Sequence, residues 1–257
     1  MKSIEEIYGE VLLSKKYSPL YTSLVMRICR EEYPKYKKDK DRVKAVKNKL
    51  HVIYGAFSGD DCHKKSALII NSGIHNANTA VMRLHASTNE RLDSLGEFYD
   101  FIFGIVGKAE SVLDIGCGFN PFSLPHIPAD IKKYYAYDID YRTVELLNRY
   151  FDSLNLPRLA SCADIVAETP LDAADVAFVF KLMPVIEIQS AGRGFQMLQE
   201  INAGYIVVSY PVRSLCGKNK GMQVNYAQSF ESGLGNDFKI IAREIIGSEL
   251  IYIIKKA

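Results

Sequence analysis

From Gly107 to the end of the chain, short apolar segments of strand-like composition alternate with loops and helical segments. The candidate strands are Ser111–Ile115, Lys133–Ile139, Leu159–Ala163, Val176–Phe180, Tyr205–Tyr210, Phe238–Ile246 and Glu249–Ile254. Such alternation predicts a mainly parallel sheet with helices on both faces. Only Gly247 and Ser248 join the last two strands, which allows a hairpin but no parallel crossover. We therefore expect an α/β fold, a Rossmann-like seven-stranded sheet with an antiparallel edge hairpin.

The part of the chain before Gly107 has helical rather than strand-like spacing of its apolar residues. Ser18-Pro19 is expected to cap a helix, because serine is a common N-cap and proline suits the first helical position. Ser87-x-x-Glu90 has the form of a capping box and is expected to open a longer helix. We predict two domains, an all-helical N-terminal domain over residues 1–106 and a Rossmann-like domain over residues 107–257.

The composition is that of an ordinary globular protein, but its charge is unevenly placed. Residues 1–50 hold 13 Lys and Arg against 7 Asp and Glu, although the net charge of the chain is only +2. This basic segment indicates an anionic partner such as RNA. No apolar run is long enough to span a membrane, and the N-terminus lacks the apolar core of a secretory signal. Five scattered cysteines without a Cys-x-x-Cys pair favour a reducing cytoplasm over disulfides or a zinc site, so we expect no membrane and no metal.

The segment Asp114-Ile115-Gly116-Cys117-Gly118 leads from a buried strand into a glycine-rich turn. Glycines let the backbone bend tightly and approach a ligand closely. A dinucleotide fingerprint requires a third glycine three positions further on, where this chain has Pro121. An acid followed by x-Gly-x-Gly is instead typical of class I S-adenosylmethionine methyltransferases, in which the acid can pair with the methionine ammonium group. We therefore expect S-adenosyl-L-methionine as the cofactor.

Two further acids lie at the carboxyl ends of the next two candidate strands, in register with this turn. Asp138 lies 20 residues beyond Gly118, where an acid can accept hydrogen bonds from both ribose hydroxyls. Asp164 follows the third strand, where it can meet the adenine amino group. Three acids at successive strand ends favour a methyl donor over another nucleotide cofactor.

The turn after the fourth strand, Phe180-Lys181-Leu182-Met183-Pro184, lies where α/β enzymes place substrate chemistry. It lacks the Asn/Asp-Pro-Pro-aromatic motif of amine methylases and the cysteine of pyrimidine carbon methylases. An acceptor with a free lone pair remains, such as a purine ring nitrogen. Guanine N7 carries no proton, so its methylation needs no general base, and we predict no catalytic acid or base. Positioning alone can lower such a barrier by roughly 7–11 kcal/mol.

Several blocks of the chain resemble one known family. They are Ser14–Tyr17, Leu50–Phe57, His85–Leu92, Asp114–Pro121, Tyr210–Met222 and Ile246–Tyr252. Together they are similar to the aminoglycoside-resistance 16S rRNA (guanine(1405)-N(7))-methyltransferases, in the same order and over nearly the whole chain. The resemblance implies a helical domain that docks on the small (30S) ribosomal subunit, followed by a class I catalytic domain. The cofactor positions it implies are Phe57, His85, Ala86, Ser87, Arg91, Gly116, Asp138, Asp164, Ile165, Phe180 and Gln189. Of these, Arg91 is expected to reach the methionine carboxylate.

The RNA contacts expected from charge are lysines and arginines that can bind phosphate. They are Lys15, Lys16, Lys40, Lys44, Lys47, Arg213, Lys218 and Lys220. The alternatives are a methyltransferase acting on adenine N1 of the decoding site, a small-molecule methyltransferase, and a non-catalytic RNA-binding protein. The basic extension argues against the second, and the three intact acids argue against the third.

One substitution tests the cofactor assignment directly. Asp138→Ala should abolish S-adenosylmethionine binding and leave the fold intact, because it removes the acceptor for the ribose hydroxyls. Calorimetry measures the affinity and thermal melting checks the fold. An unchanged affinity in a folded variant would contradict the assignment.

Overall fold

The computed structural model describes residues 1–55, 62–72, 77–212 and 222–257. Its α-helices are α1 Ile4–Leu12, α2 Thr22–Glu32, α3 Asp39–Tyr54, α4 Cys62–Asn71, α5 Ala77–Met82, α6 Ala86–Asn89, α7 Leu95–Val106, α8 Tyr141–Ser153, α9 Met183–Gln189, α10 Arg193–Glu200 and α11 Met222–Leu234. Its strands are β1 Ser111–Ile115, β2 Lys133–Asp138, β3 Ala160–Cys162, β4 Ala174–Phe180, β5 Ala203–Pro211, β6 Phe238–Ile246 and β7 Glu249–Lys256.

The described strands form one seven-stranded sheet in the order β3-β2-β1-β4-β5-β7-β6. The first five strands pair in parallel, β7 is antiparallel to β5, and β6 is antiparallel to β7. This arrangement confirms the predicted Rossmann-like sheet with its antiparallel edge hairpin. The strand order reverses beside β1, and open α/β sheets bind ligands at such a switch point, outside the carboxyl ends of the strands.

Apolar residues cover the sheet on both faces, as continuous apolar strands require. On β4, Phe178 and Phe180 belong to one buried cluster, whereas Ala177 and Val179 belong to another on the opposite face. Since successive side chains of a strand point to opposite faces, β4 is enclosed from both sides. The first cluster also takes residues from α4, α5 and α7, so these helices pack on the sheet.

The first three helices form a third buried cluster of their own. This cluster includes Leu24, Val46 and Leu50, and it meets the rest of the protein at Ile139 and Val185. The contact with Ile139 matters for the site, because Ile139 follows β2 directly. The N-terminal helices therefore pack against the carboxyl ends of the parallel strands.

A short antiparallel bridge adds to this contact and explains why the predicted cap at Ser18-Pro19 is wrong. Leu20 bridges Asp140, the Tyr21 amide donates to the Ile139 carbonyl (2.8 Å), and Pro19 accepts from the Tyr141 amide (2.9 Å). The segment is held extended by these bonds, so α2 begins only at Thr22.

The longer helix expected to open at Ser87 is also interrupted in the structure. The four-residue helix α6 ends at Asn89, a 3-10 turn covers Leu92–Ser94, and α7 begins at Leu95. Arg91 lies at this interruption with its side chain buried against Glu249 of β7. A tertiary contact has thus overridden the local helical pattern.

Within the residues that the structure describes, no helix combines the length and the apolar character needed to cross a membrane. The same residues contain no group of three or more histidine, cysteine, aspartate or glutamate side chains placed to hold a metal ion.

Candidate active site

A cavity opens at the carboxyl ends of β1, β2 and β4, and residues from the N-terminal helices line it as well. It brings together most of the cofactor positions expected from the sequence. Those that line it are His85, Ser87, Arg91, Gly116, Asp138, Asp164, Ile165, Phe180 and Gln189. Ala86 and Asp114 do not line the cavity, and Phe57 lies outside the described residues.

The glycine turn after β1 forms the floor of the cavity and requires glycine at both ends. Gly116 and Gly118 have φ angles of 68° and 49°, which side chains rarely adopt. A Cβ on Gly116 would lie 2.8 Å from Leu182, and one on Gly118 would lie 2.9 Å from the His85 ring. The turn therefore exposes bare backbone to the cavity, which suits the close approach of a ligand.

Asp138 joins the end of β2 to the glycine turn. Its Oδ2 accepts a hydrogen bond from the Gly118 amide, and its Oδ1 accepts one from the Asp140 amide, both at 2.9 Å. Each carboxylate oxygen keeps a further lone pair, so the group can still accept from two hydroxyls. Burial raises the pKa of Asp138 to about 6. These properties fit the ribose of a nucleoside cofactor.

Asp114 lies behind the cavity wall, where it is 1 % exposed. Its Oδ2 accepts from Asn120 Nδ2 (2.9 Å) and from the Tyr134 hydroxyl (2.7 Å). Its Oδ1 is buried with no hydrogen-bond partner among the described residues. Burial raises the pKa of Asp114 to about 6. Because Asp114 does not line the cavity, its charge acts on a cationic ligand group such as an ammonium through Asn120 and not by direct contact.

Asn120 links Asp114 to Arg91, which lines the cavity and is 2 % exposed. Arg91 donates from Nε and Nη2 to the two carboxylate oxygens of Glu249 (2.8 and 2.9 Å) and from Nη1 to Asn120 Oδ1 (2.6 Å). Its guanidinium also lies over the ring of Phe180 (4.6 Å to the centroid). A guanidinium has five N–H groups, so two remain for a ligand carboxylate.

Lys181 sits at the end of β4 with φ of 55°, an uncommon value for a residue other than glycine. Its ammonium group donates to Glu90 (2.6 Å) and lies 3.4 Å from Glu249. Burial opposes the ionisation of Glu249, but Arg91 and Lys181 outweigh it and hold the pKa of Glu249 below its ordinary value. Two cations and two anions therefore form one compact ionic cluster beside the cavity.

His85 also lines the cavity, and unlike Lys181 and Glu249 it carries no charge there. Its ring stacks on Phe119 at 5.1 Å between centroids, and burial lowers the pKa of His85 to about 4. The imidazole is therefore neutral near pH 7, and its low basicity makes it unsuited to act as a general base there.

Asp164 and Gln189 form the opposite end of the cavity from Arg91, and α2 reaches this end through Arg27. Arg27 donates to both oxygens of Asp164 (2.6 and 3.0 Å) and to Gln189 Oε1 (2.9 Å). Sequence reasoning missed Arg27, as it also missed Asn120, Lys181 and Glu249. For Arg27 the only local signal was its position beside the apolar stripe of Leu24 and Ile28, and that position by itself points to no ligand.

The five expected RNA-binding lysines that the structure describes lie on the N-terminal helices or the turn between α1 and α2. Lys40, Lys44 and Lys47 border one shallow surface groove on α3, whereas Lys15 and Lys16 follow α1. Arg213, Lys218 and Lys220 lie outside the described residues. The structure therefore brings three of the lysines onto a single basic face.

A Rossmann-like sheet whose switch-point cavity combines this glycine turn with Asp138 at the end of β2 and Asp164 after β3, and which has Asp114 of β1 behind the cavity wall, defines a class I methyltransferase. The family model described as "Ribosomal RNA methyltransferase (FmrO)" matches residues 13–253. The chain belongs to this family, as its resemblance predicted.

Individual relatives agree with this assignment over their full length. The chain is 37% identical to a 16S rRNA (guanine(1405)-N(7))-methyltransferase of Serratia marcescens, covering 99% of both chains. Among solved structures it is similar to the 16S rRNA methylase RmtB, with a TM-score of 0.88, 34% identity and 99% of both chains covered. It is also similar to the 16S rRNA methyltransferase RmtF in complex with S-adenosyl-L-homocysteine, with a TM-score of 0.91, 32% identity and full coverage of both.

The raised pKa values of Asp114 and Asp138 predict a pH-dependent affinity for S-adenosylhomocysteine. Binding favours the ionised acids, so a protonated acid must release its proton, and affinity should fall about tenfold from pH 7 to pH 5 for each such group. Calorimetry near pH 6 in buffers of different ionisation enthalpy should detect the released proton.

Thermal melting over the same range provides the control. Acids whose pKa is raised on folding stabilise the free protein as the pH falls through 6, so these two groups should not cause unfolding there. An affinity that is constant from pH 5 to pH 8, with no proton released, would contradict the prediction.

Proposed function

We propose that this chain is a 16S rRNA (guanine(1405)-N(7))-methyltransferase that uses S-adenosyl-L-methionine and confers aminoglycoside resistance by modifying the decoding site. The observation that carries the proposal is the similarity to enzymes of that name over 99% of both chains. The cavity supports it independently, since the acids and the glycine turn suit a nucleoside that carries an amino acid. The methyl group and positive charge added at the base would obstruct drugs that bind there.

Within this proposal, the cavity residues hold three parts of the cofactor. Asp138 accepts from the ribose hydroxyls, and Asp164, Ile165 and Gln189 surround the adenine. Arg91 binds the methionine carboxylate with its two remaining N–H groups. Further positions proposed for the cofactor are Asp114, on the form of the glycine turn, and, on the family match, Phe57, His85, Ala86, Ser87, Gly116 and Phe180.

When bound, S-adenosylmethionine supplies a methyl group on a positively charged sulfur. The chain's own task is to orient guanine N7 in line with that methyl group and to exclude water. The reaction moves one positive charge from the sulfur to the guanine and releases no proton from N7. The low basicity of His85 and the pairing of Lys181 with two carboxylates agree with chemistry that needs no general base.

We propose the assembled 30S subunit in the cytoplasm as the substrate form. The N-terminal helices and the basic groove of α3 would dock on it, with residues 1–106 as the docking domain and residues 107–257 as the catalytic domain. A guanine within a paired helix must leave the stack to reach the cavity, so we expect base flipping. Lys15 and Lys16 beside α1, and Arg213, Lys218 and Lys220 after β5, are proposed as further phosphate contacts.

A labelling experiment tests the function. The protein is incubated with radiolabelled S-adenosylmethionine and, separately, with 30S subunits, free 16S rRNA and a small-metabolite extract. The methylated nucleotide is then mapped by mass spectrometry and by chain cleavage at N7-methylguanine. We expect label on 30S subunits at guanine 1405 and a raised minimum inhibitory concentration of aminoglycosides in expressing cells. Label on a decoding-site adenine would select the adenine-N1 alternative, and label on metabolites alone would overturn the RNA substrate.

The basic groove of α3 yields a separate prediction. Replacing Lys44 and Lys47 by glutamate should weaken 30S binding. It should also reduce the slope of log affinity against log salt concentration by about two, since each phosphate contact contributes about 0.9 to that slope. Affinity for S-adenosylhomocysteine should not change. Lys108→Glu with Lys133→Glu makes the matched control, because both lysines are exposed near the amino ends of β1 and β2. Equal loss of binding in both double variants would refute a specific docking face.

A further inference from the structure

Arg27 of α2 makes a charged contact between the N-terminal helices and the cavity. Its Nε and Nη2 donate to the two oxygens of Asp164, and Nη2 also donates to Gln189 Oε1. Asp164 and Gln189 line the cavity, whereas Arg27 is not among the lining residues and faces a separate surface groove. Among the residues that the structure describes, Arg27 therefore reaches the cavity through these two side chains alone.

The contacts leave Gln189 a single amide orientation. Arginine can only donate hydrogen bonds, so the atom that faces Arg27 must be the oxygen of the amide. Gln189 ends α9, and its Nε2 then donates to the carbonyl of Val185 in the same helix (3.1 Å). The second N–H of Nε2 remains for a ligand. Its direction is fixed because it belongs to the same planar amide group as the oxygen that Arg27 contacts.

Asp164 is held as an acceptor by the same guanidinium. Its side chain is only 4% exposed, and Arg27 contacts both of its oxygens. Both oxygens already accept from the guanidinium, so the lone pairs that remain on them are acceptors for a ligand group. The guanidinium itself is held from behind by Glu31, which accepts from Nη1 at 2.7 Å and also pairs with Lys49.

The cavity wall thus presents one fixed acceptor and one fixed donor. An adenine edge offers the complementary pair, an exocyclic amine that donates beside a ring nitrogen that accepts. Hypoxanthine replaces that amine with a carbonyl oxygen, which can only accept and would meet the Asp164 carboxylate. The donor and acceptor pattern of the wall therefore favours adenine over hypoxanthine.

We propose that Arg27 is a positioning residue that gives the cofactor site its specificity for adenine. It fixes the orientation of the Gln189 amide and the position of the two acceptor oxygens of Asp164, and it does so from the N-terminal helices rather than from the sheet. The inference rests on the proposed function to the extent that Asp164 and Gln189 are taken to surround the adenine.

Binding calorimetry with two probes tests the proposal without RNA. The probes are S-adenosylhomocysteine and S-inosylhomocysteine, which differ only in the base. The natural chain should prefer the adenine form. Arg27→Gln should weaken binding of S-adenosylhomocysteine about tenfold, the factor expected for a lost hydrogen bond to a charged group. Its affinity for S-inosylhomocysteine should change much less, so that the preference is lost.

Two further variants separate positioning from a structural effect. Arg27→Lys keeps the charge but lacks the planar fork that makes three hydrogen bonds to Asp164 and Gln189, so it should retain the melting temperature and still lose most of the preference. Arg30→Gln removes an exposed arginine of the same helix and should change neither affinity. In methylation assays on 30S subunits, Arg27→Lys should raise KM for S-adenosylmethionine and leave kcat unchanged.

The outcomes distinguish this proposal from the proposed function. An Arg27→Lys variant that keeps the natural preference for adenine would overturn the role of Arg27, whatever base of the RNA is methylated. Equal loss of affinity for both probes would also overturn it, because such a loss would show that Arg27 supports the site in general and does not distinguish adenine from hypoxanthine. Methylation at a nucleotide other than guanine 1405 would overturn the proposed function and leave the role of Arg27 standing. No binding of either probe to the natural chain would overturn both.

Discussion

The site depends on the hydrogen bond from the Gly118 amide to the Asp138 carboxylate, because it joins the ends of two parallel strands. Parallel pairing of β1 with β2 brings the glycine turn beside Asp138, and the positive φ of Gly118 aims its amide at that acid. A donor and an acid separated by 20 residues in sequence thereby become one rigid edge of the cavity. The bond also opposes the burial that raises the pKa of Asp138 to about 6, because it stabilises the ionised carboxylate.

A second group of contacts connects the opposite side of the cavity to the antiparallel hairpin. Glu249 opens β7 and is 1% exposed, and it receives Arg91, Lys181 and the Ser209 hydroxyl. Removing one partner from such a buried cluster commonly costs 3–5 kcal/mol, because an uncompensated charge is left behind. The edge hairpin thus does more than complete the sheet. It supplies the anion that orients Arg91 toward the cavity.

The N-terminal helices contribute to the same cavity, although they have a buried cluster of their own. Leu24, Ile53 and Tyr54 line it, and Tyr54 donates to Asp140 at 2.6 Å directly after β2. Arg27 adds the contact with the loop after β3. Cofactor binding and the placement of these helices are therefore physically linked, and a change at one should alter the other by the same coupling free energy.

The sequence by itself determined the sheet, its edge hairpin, the methyl-donor class and the acids at 114, 138 and 164, because strand periodicity, link length and glycine spacing are local properties. Through family resemblance it also identified most of the expected cofactor positions that line the cavity. Only the tertiary structure decided that Ser18-Pro19 does not cap α2, that the helix expected at Ser87 breaks near Arg91, and that Asp114 lies behind Asn120. It alone revealed Arg27, Lys181 and Glu249 as partners of site residues. These contacts join residues that lie far apart in the chain, and no local pattern records which distant side chain will satisfy a buried charge.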